Sequence, residues 1–592
     1  MEEDGENIFP ILSCYVYEWD FRPNINSELK EGRGGEPLPF YLKTLLCVKL
    51  KNAQKLSSVF WFFRGFCELI EPKYCSLLDC GTIPLENALY KKFIIFESEN
   101  DVGGLCGFVK PTGPTQLDSK DLEIMNQYDF LTRTFHKVFD LKEAQVFEYV
   151  YGHIIDKSFE SFFGMVYVLP GAYASFRWEA IRKDEGAMDN YLDSLFIKLV
   201  LRERYRESDE FTIELANMCL AEDQMLTFEV NTKAKHKFIS RFIPDSVVLT
   251  DPVKTFNVLM KQRKRWINGS WFAFTLILSV YWKRMSETTH HWIRKGAFHF
   301  FTIYQLGQMI NRWCLLCFSF SLVYILSVEF FNFYRMINFP MINSQFGYIT
   351  FFLIAFFVGY HMSLFYKIDQ KIKVFLLCST LIGLSIHIFN ALIFAKLVGF
   401  LPNYFDPEGL FEEKIIISFL IFNFFYYLLP LLANWSHAAK DAFCSVIHFI
   451  YHFPSFFVFF QLYSFCNIND LSWGTKAKEE DKNNKSKAER NKLKNGNFAF
   501  LWVFSNLIVA AICTGFFSNY EVRKYYILGL SVVYGVLLAI KLVCALIYKF
   551  KYECWNRPRA ERIAKSRKEE YKRRGKEVED YIECNRKWMK ER

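Results

Sequence analysis

The chain changes character within one stretch, QRKRWINGSWFAFTLILSVYW, residues 262–282. Its first five residues include three cations, and from Trp271 onward the chain becomes mostly lipid-compatible. Residues 271–282 are too short to cross hydrocarbon comfortably, which needs about 20 apolar residues. An interfacial helix, with its apolar side among lipid headgroups, is therefore favoured. This predicts a cytosolic domain over 1–265, interfacial amphipathic helices over 266–297 and a membrane domain beyond them.

Upstream of this stretch the sequence is typical of a soluble mixed α/β domain. Strand-like runs at 41–50, 74–78 and 165–169 are separated by Gly and Pro. The first residues carry no charged-then-apolar secretory pattern, so this half is expected to stay in the cytosol.

Downstream, long apolar runs follow one another. Most approach the length of about 20 residues that spans hydrocarbon, and they cover 298–327, 347–366, 374–398, 413–435, 442–466, 497–517 and 524–549. The loop with Lys367, Lys371 and Lys373 is basic and is assigned to the cytosolic side. Seven crossings would leave the basic tail outside, so the run 442–466, interrupted by Pro454, is predicted to be interfacial or re-entrant. About six spans result within 298–549, with a cytosolic loop at 467–496.

Composition excludes several classes of protein. The 592 residues are 52% hydrophobic and 23% charged, which rules out a disordered chain and a small disulfide scaffold. The net charge of +9 is concentrated in the tail, 550–592, rather than in a nucleic-acid-binding module, so no nucleic acid is expected as a partner. That tail is expected to be a solvated helix or arm, with binding to a membrane surface as the alternative.

A first candidate for chemistry is Asp79, where an apolar strand ends and Gly81 follows. Ligand sites of α/β sheets lie beyond the carboxyl ends of strands, so this carboxylate could hold a divalent cation on a diphosphate. The alternative is a turn-forming Asp.

A second candidate is the pair Glu222 and Asp223. Adjacent side chains diverge, so one carboxylate can accept a proton from a hydroxyl while the scaffold holds the other. Alone, such a pair is more often a solvated turn.

A third candidate is the cluster Gln262, Arg263, Arg265 and Trp266. On a helix, Gln262 and Trp266 share a face, while arginines bind diphosphate oxygens and an indole offers an apolar plate to a sugar ring. The alternative is a basic patch that binds anionic lipid.

The fourth candidate is a break from strand to turn, which is either structural or a loop lining a path; it comprises Val168, Leu169, Pro170, Gly171 and Ala172.

Taken in order, these motifs resemble the chitin synthases, a family of processive inverting glycosyltransferases. The resemblance covers roughly 12–550 and is carried by motifs at 77–82, 144–149, 154–157, 160–164, 168–172, 222–223, 262–266, 465–467 and 472–476. It implies a GT-A-type, Rossmann-like α/β cytosolic catalytic domain followed by an α-helical multi-span membrane domain. It also implies an integral protein of the plasma membrane or the secretory pathway.

The resemblance further implies the reaction. N-acetylglucosamine would pass from UDP-GlcNAc to the 4-hydroxyl of a growing β-1,4 chitin chain, with inversion and export across the bilayer. Asp223, beside Glu222, would be the general base, and Asp79 would hold Mg²⁺ or Mn²⁺. Gln262, Arg263, Arg265 and Trp266 would bind product and nucleotide, and 168–172 would gate the translocation path.

Two alternatives stay open from the sequence. The family's first nucleotide-binding strands have no counterpart before Ile11, so the catalytic domain is expected to be N-terminally incomplete. The alternative to an active synthase is therefore an inactive subunit that pairs with or regulates one. A homodimer is the other assembly considered. A transporter ranks last, because Asp and Glu are almost absent from the apolar runs.

Overall fold

The computed structural model describes residues 14–21, 42–50, 54–111, 140–182, 213–318, 321, 426–430, 436–470, 485–516 and 519–563, with a few isolated positions beyond. The chain divides into two compact units, Met1–Glu71 with Lys183–Thr212, and Pro72–Arg182 with Ile213–Arg592.

The first unit contains an antiparallel pair of strands. Strand β1 (Cys14–Phe21) pairs with β2 (Leu42–Lys49) so that Cys14 lies opposite Lys49. The strand predicted at 41–50 is confirmed. Helix α1 (Gln54–Phe60) follows and continues through a wide helical turn, Trp61–Cys67, to Ile70.

The second unit is built on a five-stranded mixed sheet. Its strands are β3 (Tyr74–Leu78), β4 (Ile83–Pro84), β5 (Val102–Pro111), β6 (Tyr173–Arg177) and β7 (Ile239–Thr250). The spatial order is β3-β6-β5-β7-β4, and the only parallel pair among these strands is β5 with β7. The central strands β5 and β6 are buried on both faces, as is usual for strands in the middle of a covered sheet.

Gly107 allows β5 to lie against its neighbours. A Cβ atom placed there would come within 2.1 Å of the Ser246 carbonyl oxygen and 2.4 Å of the Tyr173 ring. The register of β5 against β7 shifts at this point, between Gly107 and Phe108. Any side chain at Gly107 would therefore push the bulged segment of β7 away.

In the described part of the chain, the helices that accompany the sheet include α2 (Ala88–Ser98), α3 (Leu141–Val150), α4 (Trp178–Ile181), α5 (Ile213–Met218), α6 (Glu222–Asn231) and α7 (Phe256–Glu287). Asp140 begins α3, because its side chain accepts the backbone N–H of Lys142 at 2.8 Å. From α3 the chain continues in helical form through Tyr151–Lys157 to Ser158–Phe163.

The strand predicted at 165–169 is wrong. Residues 165–170 have no regular secondary structure, although their sequence is apolar and extended in character. Their backbone groups bond to side chains of other elements, for example Val166 N–H to the Ser240 hydroxyl at 2.8 Å. A strand needs a neighbouring backbone, and here side chains take that place.

Helix α7 runs without a break through the boundary expected between 265 and 266. Its later half buries one face, including Trp271, Phe274 and Tyr281, inside the protein. The basic motif and the apolar stretch that follows it are therefore parts of one rigid element.

The remaining described helices are α8 (Trp292–Trp313), α9 (Ser436–Pro454), α10 (Phe460–Cys466), α11 (Lys485–Phe516) and α12 (Tyr520–Lys551). Pro454 does not end the helical path, since a wide turn, Ser455–Phe459, joins α9 to α10. Helix α10 packs on α7, where Phe256 and Phe460 have ring centroids 5.4 Å apart.

Among the described residues one helix, Glu521–Ile563, is long and apolar enough to cross a membrane. A shorter apolar helix covers Asn497–Cys513. The runs expected at 347–366 and 374–398 lie outside the described residues, as does most of the tail. The count of six spans thus stays a prediction.

Candidate functional site

Asp79 lies where β3 ends, as predicted. Its backbone N–H donates to the Ala172 carbonyl at 3.2 Å, which extends the pairing of β3 with β6 by one residue. Gly81 follows with a φ of 87°, a left-handed conformation that favours glycine, and turns the chain back. The carboxylate is thereby presented at an exposed edge of the sheet.

Glu222 and Asp223 form the first turn of α6. Asp223 is held by two backbone donors: Gln224 N–H reaches Oδ1 at 2.9 Å, and Gly171 N–H reaches Oδ2 at 3.3 Å. The Glu222 side chain is buried. The two carboxylates therefore have different environments, as expected for neighbours that diverge, and Asp223 is oriented from two sides.

Arg265 brings these carboxylates together. Burial lowers the pKa of its guanidinium, while the charges of Glu222, Asp223 and Asp79 act in the opposite direction. A cation of α7 thus shares one site with the end of β3 and the start of α6. Asp79 and Asp223, which are distant in the chain, thus both act on the one cation Arg265.

Trp266 lies next to this cation and is 38% exposed. Its indole covers the Arg263 guanidinium at 4.1 Å, and its edge meets the Tyr149 ring at 6.5 Å between centroids. Arg263 in turn forms an ion pair with Glu148 at 2.5 Å. Burial raises the pKa of the Glu148 carboxyl, and Arg263 opposes that rise. Trp266 therefore presents a partly exposed indole that packs against Arg263 and Tyr149.

The other residues of the 262–266 motif point to different surroundings. Gln262 Oε1 is buried and has no hydrogen-bond partner among the described residues, so it can still accept a bond from a ligand hydroxyl. Lys264 is turned away from the site into an ion pair with Asp470 at 2.6 Å. Arg263 is committed to Glu148, which leaves Arg265 as the arginine nearest the carboxylates.

Residues 168–172 pass directly beside Asp223. Leu169 is fully buried, and its N–H donates to the Thr227 hydroxyl at 3.0 Å. The Val168 carbonyl accepts the Lys157 ammonium at 2.6 Å. The proposed gate therefore contacts the proposed base through the backbone of Gly171, an adjacency that the sequence alone does not give.

Two positioning residues were missed by sequence reasoning, Thr227 and Glu160. Glu160 accepts the Tyr167 N–H at 3.0 Å, and burial raises the pKa of its carboxyl to about 7. Glu160 begins the motif at 160–164, which is the only signal for it in the sequence. Thr227 carries no signal, since a threonine inside a helix is common.

The residues around the downstream motif at 465–467 contact helices α5 and α7. Asn268 of α7 donates to the Ser464 carbonyl at 2.9 Å, and Asn217 of α5 donates to the Ile468 carbonyl at 2.7 Å. The motif at 472–476 lies outside the described residues.

The sequence predicts that Asp79 holds Mg²⁺ or Mn²⁺. Within the residues that the structure describes, no group of three or more His, Cys, Asp or Glu is placed to hold a metal ion. An exposed carboxylate is nevertheless a hard oxygen ligand, and Mg²⁺ is commonly held by one or two carboxylates together with substrate phosphates and water. Asp79 as a ligand of an ion shared with a diphosphate stays a prediction.

Comparison with known proteins agrees with the motifs. The chain is 29% identical to chitin synthase 1 of Phytophthora sojae, over 79% of this chain and 46% of that protein. It is 27% identical to chitin synthase 2 of Rhizopus oligosporus, over 78% of this chain and 53% of that protein. With chitin synthase 1 of Saccharomyces cerevisiae it shares 28% identity, over 78% of this chain and 39% of that protein. The chain spans about half the length of these relatives.

The family model for the chitin synthase-like glycosyltransferase domain matches residues 11–281, which include the carboxylates, the segment 168–172 and the 262–266 motif. The resemblance read from the motifs is thereby confirmed, and residues 11–281 are similar to the chitin synthase-like glycosyltransferase domain.

Proposed function

We propose that the chain transfers N-acetylglucosamine from UDP-GlcNAc to the 4-hydroxyl of a growing β-1,4 chain and passes the product across a membrane. The observation that carries this proposal is the convergence of Asp79, Asp223 and Arg265, with the Trp266 plate on the same helix. A polymerase needs a base, a site for a diphosphate and a surface for a sugar, and these residues supply the three.

Asp223 is the general base. As the acceptor oxygen attacks the anomeric carbon, its proton passes to the Asp223 carboxylate and the new carbon–oxygen bond forms. The bond from that carbon to the diphosphate oxygen breaks, and UDP leaves with the electron pair. Attack from the face opposite the leaving group turns an α-linked donor into a β-linked product. The two N–H donors on Asp223 keep its oxygens aimed while this occurs.

Arg265 stabilises the charge that builds on the diphosphate. It is the cation whose charge acts at the site of Asp79 and Asp223, and burial strengthens its interaction with an anion. A Mg²⁺ or Mn²⁺ ion held by Asp79 would supply further charge stabilisation of the leaving group.

Trp266 holds the acceptor sugar. Its exposed face is apolar and flat, and Arg263 and Tyr149 prevent the indole from rotating away. Gln262 Oε1 has bonding capacity left for a sugar hydroxyl. Trp266 would thereby hold the chain end near Asp223, because Trp266 follows Arg265 in the chain and the charge of Asp223 acts on Arg265.

Export is proposed from the position of the helices. The catalytic residues of α7 lie on a helix that continues into apolar residues, and α12 is long enough to span hydrocarbon. A polar polymer has to leave through a lined path rather than through lipid. We place the catalytic domain on the cytosolic side, where UDP-GlcNAc would reach it.

The proposal is tested with the purified full chain in lipid nanodiscs, incubated with radiolabelled UDP-GlcNAc and Mg²⁺. An insoluble, chitinase-sensitive product is expected, and Asp223→Asn should reduce its rate by roughly 10²–10⁴-fold. Glu229→Gln is the matched control, because Glu229 lies on the same helix and pairs with Arg284 at 3.2 Å, away from the base. Absence of product from the unaltered chain, or equal product from Asp223→Asn, would reject the proposal.

A further inference from the structure

The segment 166–172 is attached to the protein mainly through side chains. Every second backbone N–H in the segment donates to a side-chain oxygen. Tyr167 donates to Glu160 at 3.0 Å, Leu169 to Thr227 at 3.0 Å and Gly171 to Asp223 at 3.3 Å. This is the donor pattern of one strand edge, with side-chain oxygens in place of a partner strand. Leu169 is buried and the Ala172 carbonyl accepts the Asp79 N–H, so local detachment that leaves the sheet intact is confined to the residues between them, including Gly171.

Two of these attachments lie one turn apart on α6. The Thr227 hydroxyl donates to the Asp223 carbonyl at 2.7 Å, which leaves its lone pairs free to accept Leu169 N–H. Thr227 and Leu169 are both buried, so this bond does not depend on solvent or charge. The bond from Gly171 is longer and ends on a carboxylate.

The strength of the Gly171 bond depends on the charge of Asp223. A hydrogen bond to an ionised acceptor is roughly twice as strong as one between neutral groups. In the proposed reaction the proton of the acceptor hydroxyl moves to Asp223 and neutralises it. The charged groups acting on the same site are Glu222 on α6, Asp79 at the end of β3 and Arg265 on α7.

We propose that Thr227 is a positioning residue that holds the segment 168–172 on α6 as a fixed point, and that the proton taken up by Asp223 releases Gly171 after each transfer. This inference rests on the proposed function, in which Asp223 is the base. When UDP has left, the proton passes from Asp223 to water, the carboxylate is ionised again and Gly171 rebinds. The segment would thus open once per sugar added, in step with the chemistry.

The test measures hydrogen–deuterium exchange of the peptide covering 166–172 in the full chain in lipid nanodiscs, without donor. Asp223→Asn mimics the protonated carboxyl and should speed exchange of this peptide about five-fold, which corresponds to ~1 kcal/mol for one hydrogen bond. Thr227→Val should produce a similar increase. Thr227→Ser restores the hydroxyl and should return exchange to that of the unaltered chain.

Thr232→Val is the matched control. Thr232 is also buried and its hydroxyl donates to the carbonyl four residues earlier, that of Phe228, at 2.8 Å, while no bond joins it to the segment. Unchanged exchange in this variant is expected. If the peptide exchanges equally fast in the unaltered chain and in Asp223→Asn, protonation of Asp223 does not release Gly171. If it exchanges equally fast in the unaltered chain and in Thr227→Val, Thr227 does not hold the segment.

The exchange experiment needs no turnover, so it separates this inference from the proposed function. Polymer synthesis by the same preparation reports on the function alone. Exchange that does not respond to Asp223→Asn in an active preparation rejects the release mechanism only.

Discussion

The Lys264 ammonium lies 2.6 Å from the Asp470 carboxylate, which joins the middle of the basic motif to a turn that follows α10. Lys264 is almost completely buried, whereas Asp470 retains some contact with solvent. A buried cation needs a partner, so this pair fixes the downstream segment against α7. The middle cation of the motif thus has a structural part, distinct from that of Arg265.

This pair predicts the outcome of charge exchange. Lys264→Glu should place two carboxylates together and lower the free energy of unfolding by about 3 kcal/mol or more. Adding Asp470→Lys should recover part of that loss, because the pair is restored with reversed sign. Thermal unfolding followed by tryptophan fluorescence checks this. If the double variant is no more stable than Lys264→Glu alone, the pair does not stabilise this contact.

Trp266 predicts a loss of acceptor binding rather than of chemistry. Trp266→Ala should reduce polymer synthesis about ten-fold, since an aromatic contact contributes roughly 1 kcal/mol or somewhat more beyond its burial. The product should also become shorter, because chain ends dissociate before the next transfer. Trp266→Phe keeps a flat ring and should recover most of the activity.

Trp282→Ala is the control for that experiment. Trp282 lies on the same helix and is more exposed than Trp266, but its ring packs on His299, with centroids 4.7 Å apart. Its removal should leave product length unchanged. Equal shortening in both variants would mean that loss of any exposed indole on α7 has this effect.

The sequence predicts the local structure around the candidate site residues better than it predicts their contacts. Asp79 follows an apolar strand, and the cluster 262–266 is helical, because those features depend on short-range pattern. The pairing of Gly171 with Asp223, and that of Arg263 with Glu148, join residues distant in the chain, and no local pattern encodes them.

The error at 165–169 has the same origin. An apolar run of this length resembles a buried strand. Whether it pairs depends on what lies beside it, and here the neighbours are the side chains of Glu160, Thr227 and Ser240. The burial of Glu160, which raises the pKa of its carboxyl, likewise depends on tertiary packing, since one of the charges that act on it is Lys541 of α12.

Glu160 predicts a pH dependence of stability. Burial raises the pKa of its carboxyl from 4.5 to about 7 in the folded protein. Between these values the folded state holds more protons than the unfolded state, so the contribution of Glu160 is present below about pH 4.5 and is lost as the pH rises through about 7. By linkage, the free energy of unfolding that Glu160 contributes falls by at most about 3 kcal/mol over this pH range.

Glu160→Gln should remove this dependence, since an amide cannot ionise and its oxygen still accepts the Tyr167 N–H. The variant should gain thermal stability over the unaltered chain as the pH is raised from 5 to 8. Measurements in two buffers of different ionisation enthalpy separate the effect from buffer drift. Parallel pH profiles for the two proteins would contradict the assignment of a titrating carboxyl to Glu160.

Lys541 predicts a coupling between α12 and the helical segment before the gate. Its ammonium pairs with Asp156 at 2.7 Å, one residue before Lys157, which binds the Val168 carbonyl. Lys541→Met leaves Asp156 without this cation and should cost about 2 kcal/mol, whereas Asp156→Asn added to it should cost less than the sum of the single changes. Thermal midpoints of the four proteins give the coupling energy, expected at about 1 kcal/mol or more. If the losses of stability in the two single variants simply add in the double variant, the ion pair does not contribute to the packing of α12 near Asp156. Because Lys157 adjoins Asp156, a coupling energy of this size would also make the position of α12 a determinant of where the gate segment rests.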